Sequence, residues 1–207
     1  MFLGGYSEGG YATMAAQHEL EALYPDEFAL TAAAPMAGPY DLSGTMVDAA
    51  SAPAANPYYF PYILLAYNRL YGFYDDPGDL FTPAYVDIPG YYDGAHASDL
   101  INAALPETPI DAISLRVRLQ THLAGSPLHM ALAENDAYRW VPRTPTRLYH
   151  CVNDDQVPYA NSEVAYDWFV AHGAADVSLE SLHFGGHVSC AFPALSKMAI
   201  WFLSLRQ

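Results

Sequence analysis

The chain has 207 residues, 52% of them hydrophobic, which is enough for one domain or for one domain carrying a large insertion. Twenty-three acidic residues face eight basic ones, and the formal charge of −15 argues against nucleic acid and anionic membrane surfaces as partners. The same charge suits plain solubility or a saline medium. No run of about 18 apolar residues points to a membrane span, and no basic segment followed by an apolar one marks a signal peptide.

The N-terminus carries the strongest local signal. Phe2 to Gly4 reads as the end of a strand, and Gly4-Gly5-Tyr6-Ser7-Glu8-Gly9-Gly10 follows at once. Gly5-x-Ser7-x-Gly9 is the pattern of a strand-to-helix turn that lifts a serine hydroxyl out of a parallel sheet. The strained backbone at such a serine leaves little room for neighbouring side chains, so Gly5 and Gly9 are expected to be sterically required. Glu8 to Tyr24 has helical spacing, with small residues in its first turns, and Pro25 ends it. Phe28 to Met36 is a continuous apolar run, which predicts a strand buried on both faces.

Residues 45 to about 140 change character. Nine of the 17 tyrosines lie between Tyr58 and Tyr92, among many prolines. Tyr58 to Tyr74 reads as an aromatic helix. Further helical zones are expected from Ala97 to Leu105 and from Ile110 to Ala124. Strand–helix alternation is absent here, so residues 45–141 read as a helical insertion into a core made of residues 1–44 and 142–207.

Alternation resumes at Thr146. Thr146 to Val152 is a predicted strand, Asn153 to Pro158 a loop, and Ser162 to His172 a helix with a serine near its start and Gly173 past its end. Val177 to His183 alternates as a strand, Phe184-Gly185-Gly186-His187 is a loop, and Cys190 to Leu205 an amphipathic helix. Strands alternating with helices predict an α/β fold with a parallel sheet.

Serine needs a base within hydrogen-bond reach, and the base needs an orienting carboxylate. In an open parallel sheet such groups sit beyond the carboxyl ends of the strands. The chain offers Ser7, Asp154 and His187 beyond three successive predicted strands, in the serine–acid–histidine order of the nucleophile-elbow hydrolases. Asp155 is the alternative acid, read as a solvated loop carboxylate. His183 is the alternative base, expected on the strand in a structural role. His183 and His187 are also spaced like a metal pair, but Gly185-Gly186 breaks the helix such a pair needs, so no metal and no cofactor is assigned. His150 reads as a packed core histidine. His18, His96, His122, His129 and His172 read as surface or helix residues. Cys151 and Cys190 are too few for a disulfide framework. Placed at the ends of neighbouring strands, they leave a bridge and two buried thiols as alternatives.

The segments GGYSEGGYATMAAQHELE, TAAAPMAGPYDLSGTM, DDQVPYANSEVAYDWFVAHGA and FGGHVSCA resemble the bacterial branch of the α/β-hydrolase superfamily related to secreted lipases of the Candida antarctica lipase A type. The resemblance implies ester hydrolysis with Ser7 as nucleophile, Asp154 as acid and His187 as base. It also implies a helical lid from about Thr45 to Val141, inserted between two strands. The expected fold is a truncated α/β-hydrolase with a mainly parallel sheet, because the family carries about four further strands before the elbow. One of the family's N-terminal loops donates to the oxyanion, and the donor in this sequence is the backbone N–H of Glu8. Tyr6, Tyr58, Tyr62 and Tyr67 are the candidate substrate contacts. The expected substrate is a small ester with a short acyl chain or an aryl group. A weakly active or non-catalytic module, a peptidase and an acyltransferase are the alternatives. The strand bearing Ser7 is expected at an unpaired sheet edge, which predicts a homo-oligomer. The resemblance implies a secreted or periplasmic protein.

Overall fold

A computed structural model describes residues 1–206. In chain order the regular elements are β1 (Phe2–Tyr6), α1 (Glu8–Leu23), β2 (Ala32–Met36), α2 (Val47–Ala49), α3 (Tyr59–Tyr71), α4 (Ser98–Ala103), α5 (Leu115–His122), α6 (Pro127–Glu134), β3 (Thr146–Cys151), α7 (Ala160–Ala171), β4 (Val177–Leu182) and α8 (His187–Ser204). They fall into two compact units. The first is Met1–Asp41 with the chain from Asp136 onward, and the second is Leu42–Asn135. Among the described residues, no helix is long and apolar enough to cross a membrane.

The first unit is an α/β layered structure around a four-stranded sheet in the order β1-β2-β3-β4. All three ladders are parallel. Sequential order with parallel strands requires a crossover between each pair, and α1 and α7 supply the first and last. β2 is buried at every position, as a strand covered on both faces must be. On one face Ala32, Ala34 and Met36 pack with Tyr149, Leu182 and the α8 residues Ala194 and Trp201. On the other, Met14 of α1 and Ala165 and Phe169 of α7 pack with Leu148 and Tyr40. Alanines in β2 keep both helical layers close to the sheet.

Several boundaries differ from the sequence reading. The apolar run from Phe28 becomes strand only at Ala32. Phe28 is 42% exposed, its N–H bonds the Tyr24 carbonyl, and the rings of Tyr24 and Phe28 meet edge to face. α7 starts two residues before Ser162, and that serine is fully buried rather than capping the helix. α8 starts at His187, so Cys190 lies in its first turn and not at a strand end. There it forms a disulfide with Cys151, the last residue of β3. The bridge, left open by the sequence, joins strand to helix.

The second unit is helical, with a core that includes Leu64, Leu80, Ile113, Leu128 and Leu132. The aromatic helix stops at Tyr71 because Gly72 takes a left-handed conformation (φ 67°). The buried Asn68 side chain then holds Tyr74, accepting from its N–H at 2.8 Å and donating to its carbonyl at 3.0 Å. The zone expected from Ile110 to Ala124 is a 3-10 turn, Pro109–Ala112, followed by α5. α6 follows Ser126, whose hydroxyl accepts from the His129 N–H as an N-cap.

Crowding at the β1–α1 turn falls on different glycines than the motif suggests. A Cβ on Gly5 would lie 2.3 Å from the Gly9 carbonyl oxygen, so Gly5 is required as expected. A Cβ on Gly9 would meet nothing within 4 Å, whereas one on Gly10 would lie 2.2 Å from the Met36 oxygen. Gly10 is the residue that lets α1 lie against β2. Replacing Gly10 by Ala is therefore expected to destabilise the fold by about 1–3 kcal/mol, as overpacking does. Gly9→Ala in the same helix is expected to be neutral or stabilising by up to about 1 kcal/mol. Urea unfolding of the two variants measures the contrast.

Candidate active site

Ser7 occupies the single residue between β1 and α1. Its backbone sits at φ 60° and ψ −124°, a region that costs a residue with a side chain about 1–3 kcal/mol. Hydrogen bonds on both sides hold it there. The Ser7 N–H donates to the Met36 carbonyl at 2.9 Å, and the Ser7 carbonyl accepts from the N–H groups of Gly10 (2.8 Å) and Tyr11 (3.1 Å). The strand end and the helix start thus fix the serine between them. Glu8 opens α1, and its N–H belongs to the first turn, whose donors have no intrahelical acceptor.

Asp154 lies on the loop after β3, and His187 is the first residue of α8, after β4. The structure brings both to Ser7. His187 Nε2 is 2.8 Å from Ser7 Oγ, and His187 Nδ1 is 2.7 Å from Asp154 Oδ2. An ionised carboxylate has no proton to give, so Nδ1 carries the hydrogen and Nε2 accepts from the serine hydroxyl. The imidazole is almost fully buried and the Asp154 side chain entirely so. Asp154 Oδ1 accepts from the N–H groups of Gln156 (3.0 Å) and Val157 (2.8 Å), which turn the loop back on the carboxylate. This is the local reason that an Asp-x-x-Val sequence presents its first residue to the sheet.

Burial pushes the Asp154 carboxyl up. The hydrogen bonds from His150 and His187, and then those from the Gln156 and Val157 N–H groups, outweigh it and hold the carboxyl below the usual carboxylate range. Tyr6 packs beside this pair, its ring 5.1 Å from the imidazole. Its hydroxyl donates to the His187 carbonyl at 2.7 Å. Burial, and then the Asp154 and Asp155 charges, raise the phenol, so it stays a donor.

Two residues differ from their sequence reading. Asp155 does more than face solvent: its Oδ1 accepts the His187 backbone N–H at 2.8 Å and so caps α8 from another loop. Gly186 permits this, because a Cβ there would lie 2.5 Å from the same oxygen. His183 is past the end of β4 and exposed, not on the strand. His150 is fully buried as expected, but it also lies 3.2 Å from Asp154 Oδ2. No pattern in the sequence marks the contact of His150 or the cap of Asp155, since each partner is supplied by the fold.

The other expected tyrosines belong to the second unit. The Tyr58 carbonyl accepts from the Tyr92 hydroxyl at 2.7 Å, the rings of Tyr62 and Tyr92 lie 6.1 Å apart, and Tyr67 meets Tyr71 edge to face. Tyr62 is 53% exposed.

No family model and no curated protein sequence matches the chain. Solved structures do. The rice cell wall degrading esterase LipA from Xanthomonas oryzae matches with a TM-score of 0.76 and 30% identity over 94% of this chain and 54% of its own. A proposed hydrolase of Legionella pneumophila matches with a TM-score of 0.86 and 28% identity, over 99% of this chain and 56% of its own. Candida antarctica lipase A, at 16% identity, shares the fold with a TM-score of 0.68 over 100% of this chain and 49% of its own. The chain thus spans about half the length of the structures it matches.

A carboxyl titrating lower in the folded than in the unfolded chain contributes stability above the unfolded value of about 3.9. It loses that contribution as pH falls toward the folded value. The wild type is therefore expected to lose stability between about pH 5 and pH 2, and Asp154→Asn to lose less over the same interval. Urea midpoints across that range read the difference in slope.

Proposed function

We propose that this chain, a structural relative of α/β-hydrolase esterases and lipases, is a serine carboxylesterase. Ser7 is the nucleophile of the elbow, His187 the general base and Asp154 the carboxylate that orients it. The backbone N–H of Glu8 donates to the oxyanion. The observation that carries the reading is the unbroken hydrogen-bond chain from Ser7 Oγ through both nitrogens of His187 to Asp154, with links of 2.8 and 2.7 Å.

The chemistry follows from the proton positions. Ser7 Oγ attacks the ester carbonyl carbon as its proton passes to His187 Nε2, and the imidazolium is held by Asp154 through Nδ1–H. The carbonyl oxygen gains the charge and meets the Glu8 N–H. Collapse breaks the bond to the alkoxy oxygen, which leaves as the alcohol with the proton from Nε2. Water then attacks the acyl-serine, gives a proton to Nε2, and collapse returns that proton to Ser7 Oγ and frees the acid. No cofactor takes part in this scheme.

The tyrosine-rich second unit is read as the lid insertion, and Tyr6, beside His187, as a residue that meets the ester. A small lid of this kind suits short acyl chains or aryl esters. A fluorophosphonate probe is expected to label the wild type and not Ser7→Ala. That substitution is expected to lower kcat on p-nitrophenyl acetate by about a millionfold. Turnover should be faster on short than on long p-nitrophenyl esters. Folded wild type that takes no label would reject the esterase in favour of a non-catalytic module. Labelling with turnover only on amides, or only with an acceptor alcohol, would point to a peptidase or acyltransferase.

We also propose self-association. Among the described strands β1 pairs with β2 alone, and α8 leaves Val188 (76%) and Phe192 (80%) exposed. Bare apolar side chains on one helix favour a second copy as cover. Light scattering at micromolar concentration is expected to give a dimer or larger, and a monomer would reject the association.

A further inference from the structure

His150 sits on β3 immediately before the disulfide residue Cys151, and nothing in the esterase scheme uses it. Its ring is fully buried and both nitrogens are engaged. Nε2 lies 3.0 Å from the Val157 carbonyl oxygen and 3.2 Å from Asp154 Oδ2. Nδ1 lies 2.8 Å from Ser162 Oγ, a fully buried hydroxyl on α7. Neither acceptor at Nε2 can donate, so that nitrogen carries the hydrogen. The Ser162 hydroxyl then donates to an unprotonated Nδ1. This tautomer is the opposite of the one on His187.

The His150 Nε2–H is therefore shared between the Val157 carbonyl, its nearer acceptor, and Asp154 Oδ2, the oxygen that His187 also engages. The result is a continuous chain, Ser7–His187–Asp154–His150–Ser162, with a histidine on each side of the acid. The groups facing Asp154 are His150, His187, the N–H groups of its own loop, and the nearby charge and phenol of Asp155 and Tyr6. Tyr159 closes the outer side of His150, its ring edge-on at 5.5 Å.

We propose that His150 is a positioning residue for the catalytic carboxylate: its Nε2–H fixes the rotation of Asp154 and shares Oδ2 with His187. Two consequences follow. Without His150 the carboxylate can turn away from His187, so turnover falls while ester binding does not. The hydrogen bond from His187 Nδ1–H to Oδ2 is also altered, so the resonance of that proton shifts. Loss of orientation at a reacting group can cost up to about a hundredfold in rate.

The proposal rests on Ser7, His187 and Asp154 acting as a triad, so its test has one arm independent of turnover. Nitrogen-15 histidine spectra of the folded wild type are expected to show His150 protonated on Nε2. The downfield Nδ1–H resonance of His187 is expected to move in His150→Phe. The second arm measures p-nitrophenyl acetate hydrolysis normalised to active-site titration. His150→Phe is expected to lower kcat about tenfold and leave KM within about twofold. His150→Gln, which keeps an N–H donor, is expected to restore most of kcat and remain usable if the Phe variant does not fold. Protonation of His150 on Nδ1 overturns the proposal, as does a folded His150→Phe with unchanged His187 resonance and kcat. If the wild type takes no fluorophosphonate label, the esterase reading fails while the spectra still decide the contact of His150.

Discussion

The arrangement turns on one buried charge. Asp154 is shielded from solvent, and a carboxylate in that position would be strongly disfavoured without compensation. Compensation comes from four directions: the Gln156 and Val157 N–H groups of its own loop, and the imidazoles on β3 and α8. The donors come from three pieces of backbone: the loop itself, β3 and the start of α8. The strand ends and the start of α8 must all be in register before the charge is satisfied, so forming the core and forming the site are one event. The helix carrying His187 is itself tied down twice, by Asp155 on its backbone N–H and by the Tyr6 hydroxyl on its carbonyl.

The serine side follows a different logic, steric rather than electrostatic. Ser7 is held at positive φ by β2 through the Met36 carbonyl, and the same carbonyl bars any side chain from position 10. One backbone group thus fixes Ser7 and sets how closely α1 lies on the sheet. The strain at Ser7 is offset by that packing. The small residues of β2 and of the first turns of α1 serve the same close approach.

Much of this was legible in the amino-acid sequence, because its determinants are local. Glycines around a serine, an aspartate three residues before Val157, and a histidine after two glycines each describe a turn, and a turn is a short-range object. The parallel α/β fold could be read from alternation for the same reason. What could not be read depends on groups brought together by folding. Asp155 caps a helix 32 residues away, and His150 reaches Asp154 only because β3 and its loop fold back on each other. The disulfide was open for a related cause: Cys190 lies on a helical turn, so an argument from strand ends misplaced it. The start of β2 was set too early because hydrophobicity alone does not separate a turn such as Tyr24–Phe28 from the strand that follows. In the second unit, prolines and tyrosines blur the helical period, and α6 was not read from the sequence at all.

The Cys151–Cys190 bridge has a consequence for how such a molecule would fail. It closes a ring of chain 39 residues in separation that holds the strand before Asp154 and the helix bearing His187. Ser7 lies outside that ring, 180 residues from His187 in sequence, on a strand with a single ladder partner. Partial openings begin where the fewest bonds must break. Opening of the sheet around Ser7 would therefore leave Asp154 and His187 tied to each other through the bridge.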